Sequence, residues 1–517
     1  MTHRRLRITI LDLVSRGPAK RLYYRLMNAN MASIMPQMAA VWCEELGHEV
    51  RYLCYTGSED LIAESREACD VLIVGAFSRA AEIAYAVGNL YRQQGAVTVL
   101  GGPHARCYPE HAARHFDYVL GFTDKATLDG VLRDRTRHRP VGLCICAARQ
   151  PTELPSLEQR WKFVAPTLAK APVVKIVPAI GSMGCPYTCS FCIDSTVDYR
   201  PLAFERMRDD LRFLATKMRR PMVAWHDPNF GVRFDETMAA IEEAVPPGRM
   251  RFIAESSLSL LSEPRLKRLQ RNGFVGILPG IESWFALGNK SKTGRAAGLD
   301  KVHQVAEHVN LILRHVPYVQ TNFVLGLDSD QGDEPARLTK RFLDLTPGVF
   351  PAFSFLTAYG AAAPLNLEFQ QAGRVLPIPF HFLDGNHGMN VRPLHEDWAP
   401  FFARAGDLLQ DAYAPKRLMR RFSANRGVTT RLLNVIRARS TERGRFQAKM
   451  QKLLRENQQV RQFFDGESDV VPDFYRKRLQ RHLGPLWDAL PEGALTHDPN
   501  AYLKAETAKA ANARAAE

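Results

Sequence analysis

Apolar positions in the first 135 residues fall into short unbroken runs, separated by stretches with a helical period. Arg7–Leu13 (RITILDL), Glu49–Tyr55, Asp70–Gly75 (DVLIVG), Val97–Leu100 and Phe116–Leu120 read as five strands. Between them, Ile34–Leu46 and Ala80–Gln94 read as helices that stop at Gly47 and Gly95, the residue type that ends helices in a left-handed conformation. Strands alternating with helices of this length predict an α/β, doubly wound parallel sheet over residues 1–135. Ligands of such sheets bind beyond the carboxyl ends of the strands, where Ser78, Gly101 and Gly102 fall.

Residues 136–171 are rich in Pro and Arg and carry little period, so they read as a linker. A second alternation occupies 172–397. Its strands lie near Val173–Ile180, Met222–His226, Arg251–Glu255, Phe274–Pro279, Val319–Leu325 and Ala352–Thr357, with helical patterns at Leu202–Met218, Glu263–Arg271 and Lys301–Leu313. Six parallel strands are too few for a closed eight-stranded barrel and predict an open, partial (β/α)6 barrel. Residues 398–502 turn basic and helical, and 503–517 form a low-complexity tail expected to be disordered.

Of 517 residues, 46% are hydrophobic and 24% charged, which excludes a disordered or fibrous chain. No apolar run reaches the ~18 residues of a membrane span. The opening MTHRRLRITILDL reads as a first strand rather than a signal peptide, and the expected location is cytoplasmic. Lys and Arg number 69 against 54 Asp and Glu, a net +15 that admits nucleic acid, anionic lipid or an acidic substrate as partner. A basic solvated surface accounts for it more simply. The basic stretches Lys416–Arg421 and Arg443–Lys452 have the rhythm of solvent-facing helices, and without interleaved aromatics they do not predict nucleic-acid binding. His381, Asp384, His387 and His395 read as a solvated polar loop more readily than as an acid–base group. Nine cysteines, an odd and dilute set, suit a reducing compartment. Cys43, Cys54 and Cys69 sit on apolar faces, and Cys144-Ile145-Cys146 reads as strand.

The other three cysteines stand together in Gly184-Cys185-Pro186-Tyr187-Thr188-Cys189-Ser190-Phe191-Cys192. Thiolates this close on one loop can face a single centre. Three without a fourth suit an iron–sulfur cube that leaves one iron open. A zinc site lacking its fourth ligand, or chance clustering, are the alternatives, and no His or Cys follows at finger spacing.

Cys-x3-Cys-x2-Cys with an aromatic before its last Cys, after the first strand of a partial barrel, resembles the radical S-adenosylmethionine (SAM) enzymes. The resemblance implies a [4Fe–4S] cluster on Cys185, Cys189 and Cys192, with SAM chelated at the fourth iron. Reductive cleavage of SAM to a 5′-deoxyadenosyl radical then abstracts a substrate hydrogen. The cofactor supplies that chemistry and the protein positions it. Trp225-His226-Asp227-Pro228-Asn229-Phe230 resembles the family segment that meets the SAM amino group, and Gly280-Ile281-Glu282-Ser283 its G-x-E-S motif. Gly326-Leu327-Asp328 matches a third motif, and Thr357-Ala358-Tyr359-Gly360 stands where relatives carry P-x-P-G-T. On this resemblance Asp227, Asn229, Gly280, Glu282 and Ser283 hold SAM.

The strand VTVLGGPH (Val97–His104), placed in a sheet directly before such a core, resembles the Rossmann-like cobalamin-binding domain of B12-dependent radical SAM enzymes. Ser78, Gly101 and Gly102 would then line the pocket for the corrinoid's nucleotide tail. The D-x-H-x-x-G signature is missing from Asp12–Gly17, and Gly121-Phe122-Thr123-Asp124 replaces the usual acidic turn. The activity implied is cobalamin-dependent methylation of an unactivated carbon in a small organic molecule, with an electron donor such as flavodoxin or ferredoxin. Ring formation, oxidation or rearrangement on the same scaffold, and a non-catalytic corrinoid sensor or carrier, are the alternatives. The sequence names neither the substrate nor a catalytic acid or base.

Overall fold

The computed structural model describes residues 4–18, 32–440 and 444–505. Six parallel strands form the amino-terminal sheet: β1 (Arg7–Leu13), β2 (Glu49–Tyr55), β3 (Val71–Ala76), β4 (Val97–Gly101), β5 (Tyr118–Leu120) and β6 (Leu143–Ile145). Their order is β2-β1-β3-β4-β5-β6. The chain reverses its direction of travel across the sheet between β1 and β3, which places a binding crevice at their carboxyl ends. Helix Ile34–Glu45 covers one face. Helix Ala81–Gln93 covers the other.

The sixth strand lies within 136–171 and corrects the reading of that stretch as a linker. A fourteen-residue helix, Leu157–Lys170, follows it. Ser156 opens the helix with a capping box, its hydroxyl accepting from Gln159 N–H while the Gln159 side chain accepts from the Ser156 N–H. The helix joins two cores. Phe163 packs with Tyr52 of the sheet, ring centroids 5.3 Å apart, while Leu157, Val164 and Leu168 belong to the barrel core.

The barrel is built from β7 (Ile176–Ala179), β10 (Met222–Trp225), β11 (Arg251–Glu255), β12 (Phe274–Leu278), β14 (Tyr318–Leu325) and β15 (Phe350–Phe355), parallel and adjacent in that order. A short strand β13 (Gly280–Glu282) also pairs with β14. A two-residue hairpin, β8 (Ser182–Met183) with β9 (Arg200–Pro201), brackets the cysteine loop. Along β11 and β15 Phe252, Ala254, Phe353 and Phe355 are buried, whereas Glu255 and Ser354 are solvent-accessible.

The carboxy-terminal helices are not a solvated appendage. Arg421, expected on a solvent face, is buried and donates to the Val349 and Ala412 carbonyls. Arg417 and Arg420 pair with Asp344. This basic helix therefore neutralises a helix of the barrel and packs beneath it. Arg443 lies outside the described residues. Further on, Phe446, Phe463, Tyr475 and Leu483 share one apolar core with Leu11, Val74 and Tyr85 of the amino-terminal unit. The chain thus returns at its end to the sheet where it began. Residues 501–505 are helical, and most of the expected disordered tail (506–517) lies outside the described residues. No described helix is long and apolar enough to cross a membrane.

Candidate active site

The cysteine loop starts at a glycine that no other residue can replace without strain. Gly184 has φ +67°, and a Cβ there would strike the carbonyl oxygens of Val197 and Asp198. The loop is then closed by its own backbone: Cys185 N–H donates to Val197 O (3.3 Å), Cys192 N–H to Cys189 O (2.8 Å), and Asp194 N–H to Cys192 Sγ (3.4 Å). Tyr187 ties it to the end of β11 through Ser259 Oγ at 2.6 Å. Phe191 packs against the core shared with the carboxy-terminal region.

Burial pushes the Cys192 thiol up to about 11 and raises Cys189, while the Lys290 ammonium pulls both back. Cys189 also feels Cys185, and Cys192 feels Cys189, so the three sulfurs share one field. Among the described residues no three His, Cys, Asp or Glu side chains converge on a point fit for a single metal ion. A cube takes its thiolates on three separate irons, and three soft donors on one loop are its ligand set.

Lys290 is the cation the sequence motifs passed over. Its Nζ binds Glu282 Oε1 at 2.8 Å. Burial alone would lower its pKa, yet Glu282 and the Cys189 and Cys192 sulfurs raise it overall. Glu282 itself stands at φ +65°, a conformation costly for a residue with a Cβ. The Lys290–Glu282 pair lies over Gly280, where a Cβ would meet Lys290 Nζ at 2.8 Å. Glu255, at the end of β11, is raised by burial and by the Glu282 charge beside it. A lysine eight residues after the Glu282 of that motif is a signal that could have been read.

Two of the expected SAM contacts are used by the protein itself. Asp227 Oδ2 accepts from Gly181 N–H (3.0 Å) and Oδ1 from Ser182 Oγ (2.5 Å), and burial raises its pKa to about 6. It anchors the hairpin that precedes Gly184. Ser283 Oγ accepts from the Phe285 and Ala286 N–H groups and donates to Asp330, while buried Lys301 donates to the Ser283 and Ala286 carbonyls. Its hydroxyl shapes a turn and has no capacity left for a ligand. Asn229 differs. Its Oδ1 accepts from Ser257 N–H at 2.9 Å, but its buried Nδ2 and the buried Ser257 Oγ have no partner among the described residues. Such orphans fit a polar ligand group.

Between the sheet and the barrel lies a largely apolar cavity of about 330 Å³, within the ~300–1,000 Å³ of small-molecule sites. Gly75, Phe77, Gly101 and Gly102 line it from one side, and Met183, Gly184, Ile193 and His226 from the other. A Cβ at Gly101 would meet nothing nearer than the Val74 carbonyl oxygen at 4.0 Å. Gly102 has φ +91° and approaches Ala76 so closely that a Cβ would sit 2.9 Å from its carbonyl, so the second glycine serves strand packing first. Ser78 does not line this cavity. Its Oγ turns inward to His104 Nδ1 at 3.2 Å, and His104 Nε2 meets Tyr85 OH at 2.6 Å.

Within the His381–His395 segment, His381, Asp384 and His387 are buried rather than solvated, while His395 is exposed as expected. Asp384 is buried, paired with Arg16 and with His387 Nδ1 at 2.8 Å. These contacts and the Asn386 N–H outweigh burial and hold its carboxyl well below the usual range. The loop is a strut: Gly385 O accepts from Phe355 N–H of β15, and Arg16 follows β1.

No protein-family model matches the chain. Two curated proteins of Chlorobaculum tepidum are similar to it. Bacteriochlorophyllide d C-12(1)-methyltransferase is 23% identical over 307 residues, 58% of this chain and 66% of that protein. Bacteriochlorophyllide d C-8(2)-methyltransferase is 25% identical over 330 residues, 59% and 70% of the two chains. The chain thus spans just under two thirds of the first. Among solved structures, the cobalamin-dependent radical SAM enzyme OxsB with aqua-cobalamin and SAM bound superposes with TM-score 0.54 at 12% identity, covering 95% of this chain and 85% of that one. The radical SAM methyltransferase TsrM from Kitasatospora setae, with cobalamin and a [4Fe–4S] cluster bound, gives 0.51 at 14%, covering 72% and 76%. At such identities the likeness is one of fold.

Proposed function

We propose that this chain, a radical SAM protein with an amino-terminal cobalamin-binding domain, is an enzyme that cleaves SAM at a [4Fe–4S] cluster and methylates an unactivated carbon of a small organic molecule with corrinoid help. One observation carries the reading: the two ends of the cysteine loop, at Gly184 and Ile193, line the same cavity as Gly101 and Gly102 of the sheet, although the three cysteines themselves do not line it. A cluster site that borders a flat-ligand site suits a reaction that needs both.

When bound, the cluster supplies the electron that opens SAM and the corrinoid carries the methyl group. The protein's part is positional. Cys185, Cys189 and Cys192 hold the cluster, and Gly184 gives their loop its turn. Asn229 Nδ2 and Ser257 Oγ offer hydrogen bonds to the polar end of SAM, beside the Lys290–Glu282 pair. Asp227 and Ser283 act on that site as positioning residues. Gly101 leaves room for the corrinoid edge. The apolar lining keeps water from a reactive centre. An electron donor such as flavodoxin or ferredoxin completes the cycle.

The test is anaerobic turnover of the reconstituted full chain with SAM and a reductant, starting from bacteriochlorophyllide d, the compound in the relatives' names. Methyl transfer yields 5′-deoxyadenosine and S-adenosylhomocysteine together. Deoxyadenosine alone overturns the methylation reading in favour of another radical outcome, and a chain that takes up no iron overturns the reading entirely.

A further inference from the structure

We propose that His226 is an axial ligand to the cobalt of the corrinoid, an assignment that rests on the corrinoid reading above. His226 ends strand β10 and its backbone N–H is fixed on Ala179 O at 2.8 Å. Its side chain is accessible and lines the cavity between sheet and barrel. The imidazole makes no hydrogen bond or ion pair among the described residues. The other charged side chains lining that cavity, Arg106 and Asp194, are paired with each other at 3.2 Å. His226 is therefore the one uncommitted titratable group there among the described residues. Apart from the thioethers of Met35 and Met183, it is also the one side-chain donor suited to a transition metal. Burial lowers its pKa, so the ring is neutral and its lone pair free near pH 7.

Other histidines are ruled out by place. No histidine occurs between Arg4 and Gly47, so none follows β1. His104, at the end of β4, is fully buried and held by Tyr85 and Ser78. His111 is bound to Tyr85 and to the Thr496 carbonyl. The exchange is balanced: a ring nitrogen of His226 gives its lone pair to cobalt, a water leaves to solvent, and no electron moves. Because no protein group fixes the ring, the ligand can also be withdrawn to free that face of the corrin.

The test is electron paramagnetic resonance of the full chain loaded with cob(II)alamin, prepared with unlabelled and with 15N-histidine protein. A nitrogen ligand splits each cobalt line into three for 14N and two for 15N. The expected result is a triplet that becomes a doublet on histidine labelling and is lost in His226→Ala and His226→Gln, with corrinoid still bound. Splitting insensitive to the label, or a label-sensitive splitting that survives in both variants, overturns the assignment and leaves the proposed function standing. A chain that binds no corrinoid overturns both.

Discussion

Gly184 is where the site is most exposed to a single change. Alanine there must adopt φ +67° and push its Cβ into two carbonyl oxygens, a distortion of roughly 1–3 kcal/mol before the clash is counted. Gly184→Ala is expected to cut iron bound per chain several-fold after reconstitution while leaving the melting of the distant sheet unchanged. Lys290 makes a second case. Its charge favours the more negative, reduced state of anything held by Cys189 and Cys192. Lys290→Gln should therefore shift the cluster midpoint potential to more negative values and slow deoxyadenosine formation, as a redox titration followed by electron paramagnetic resonance would record. The cysteines were legible because three identical, rare residues at fixed spacing have few other uses. Asp227 and Ser283 were expected at SAM, and in the structure their side chains bond neighbouring turns. A one-dimensional motif cannot tell a side chain aimed at a ligand from one spent on the adjacent turn, and the hydrogen bonds to Gly181, Ser182, Phe285 and Ala286 decide it.

Elements followed the apolar pattern both where strands are buried on two faces, as β1, β3 and β4 are, and where a helix buries one face. All five expected strands of the sheet and all six of the barrel form, with ends displaced by a few residues. The failure lay in 136–171, and it has a physical reason. β6 is a three-residue edge strand with little buried surface, so it has no apolar run to display. Helix Leu157–Lys170 contacts two cores on different sides and carries Pro166 inside it, which blurs a single apolar stripe. The signal that was present is the capping box, S-x-x-Q ahead of the helix. Ser156→Ala removes it. A loss of about 1 kcal/mol is expected in urea unfolding, with Ser156→Asp restoring most of it. An unchanged midpoint would mean that tertiary packing alone sets this helix.

At the scale of the molecule, the amino-terminal unit and the returning carboxy-terminal segment are joined through buried imidazoles. His111 meets Tyr85 OH and the Thr496 carbonyl, His497 stacks on Phe380 with centroids 4.5 Å apart, and His115 lies 4.4 Å from the Tyr85 ring. Burial lowers all of them, His111 to about 4 and His115 and His497 to about 3, with His104 and His381 also well below the ordinary value. A histidine whose pKa falls on folding adds stability above its unfolded value near 6.5, and that stability drains away as pH drops toward the folded value. Six carboxyls work the other way, Asp210, Glu255 and Asp330 by less than the rest. Glu82 is raised by burial to about 8, and Asp12 and Asp227 to about 6, so folding gains from their protonation as pH falls through those values. Seven imidazoles are lowered, His226 and His308 included, against six raised carboxyls of which only Glu82 is shifted across the whole window, so urea unfolding should show stability falling from pH 6.5 to 4.5. His497 is the place to intervene, because both its buried ring nitrogens lack a hydrogen-bond partner among the described residues. His497→Phe keeps the stack on Phe380 and removes one proton-binding group of the unfolded chain. The slope of stability against pH should flatten by up to ~1.4 kcal/mol per unit in that window. Glu82→Gln should steepen it, by deleting a carboxyl that gains from acid. Slopes unchanged in both variants would place the acid sensitivity elsewhere in the molecule.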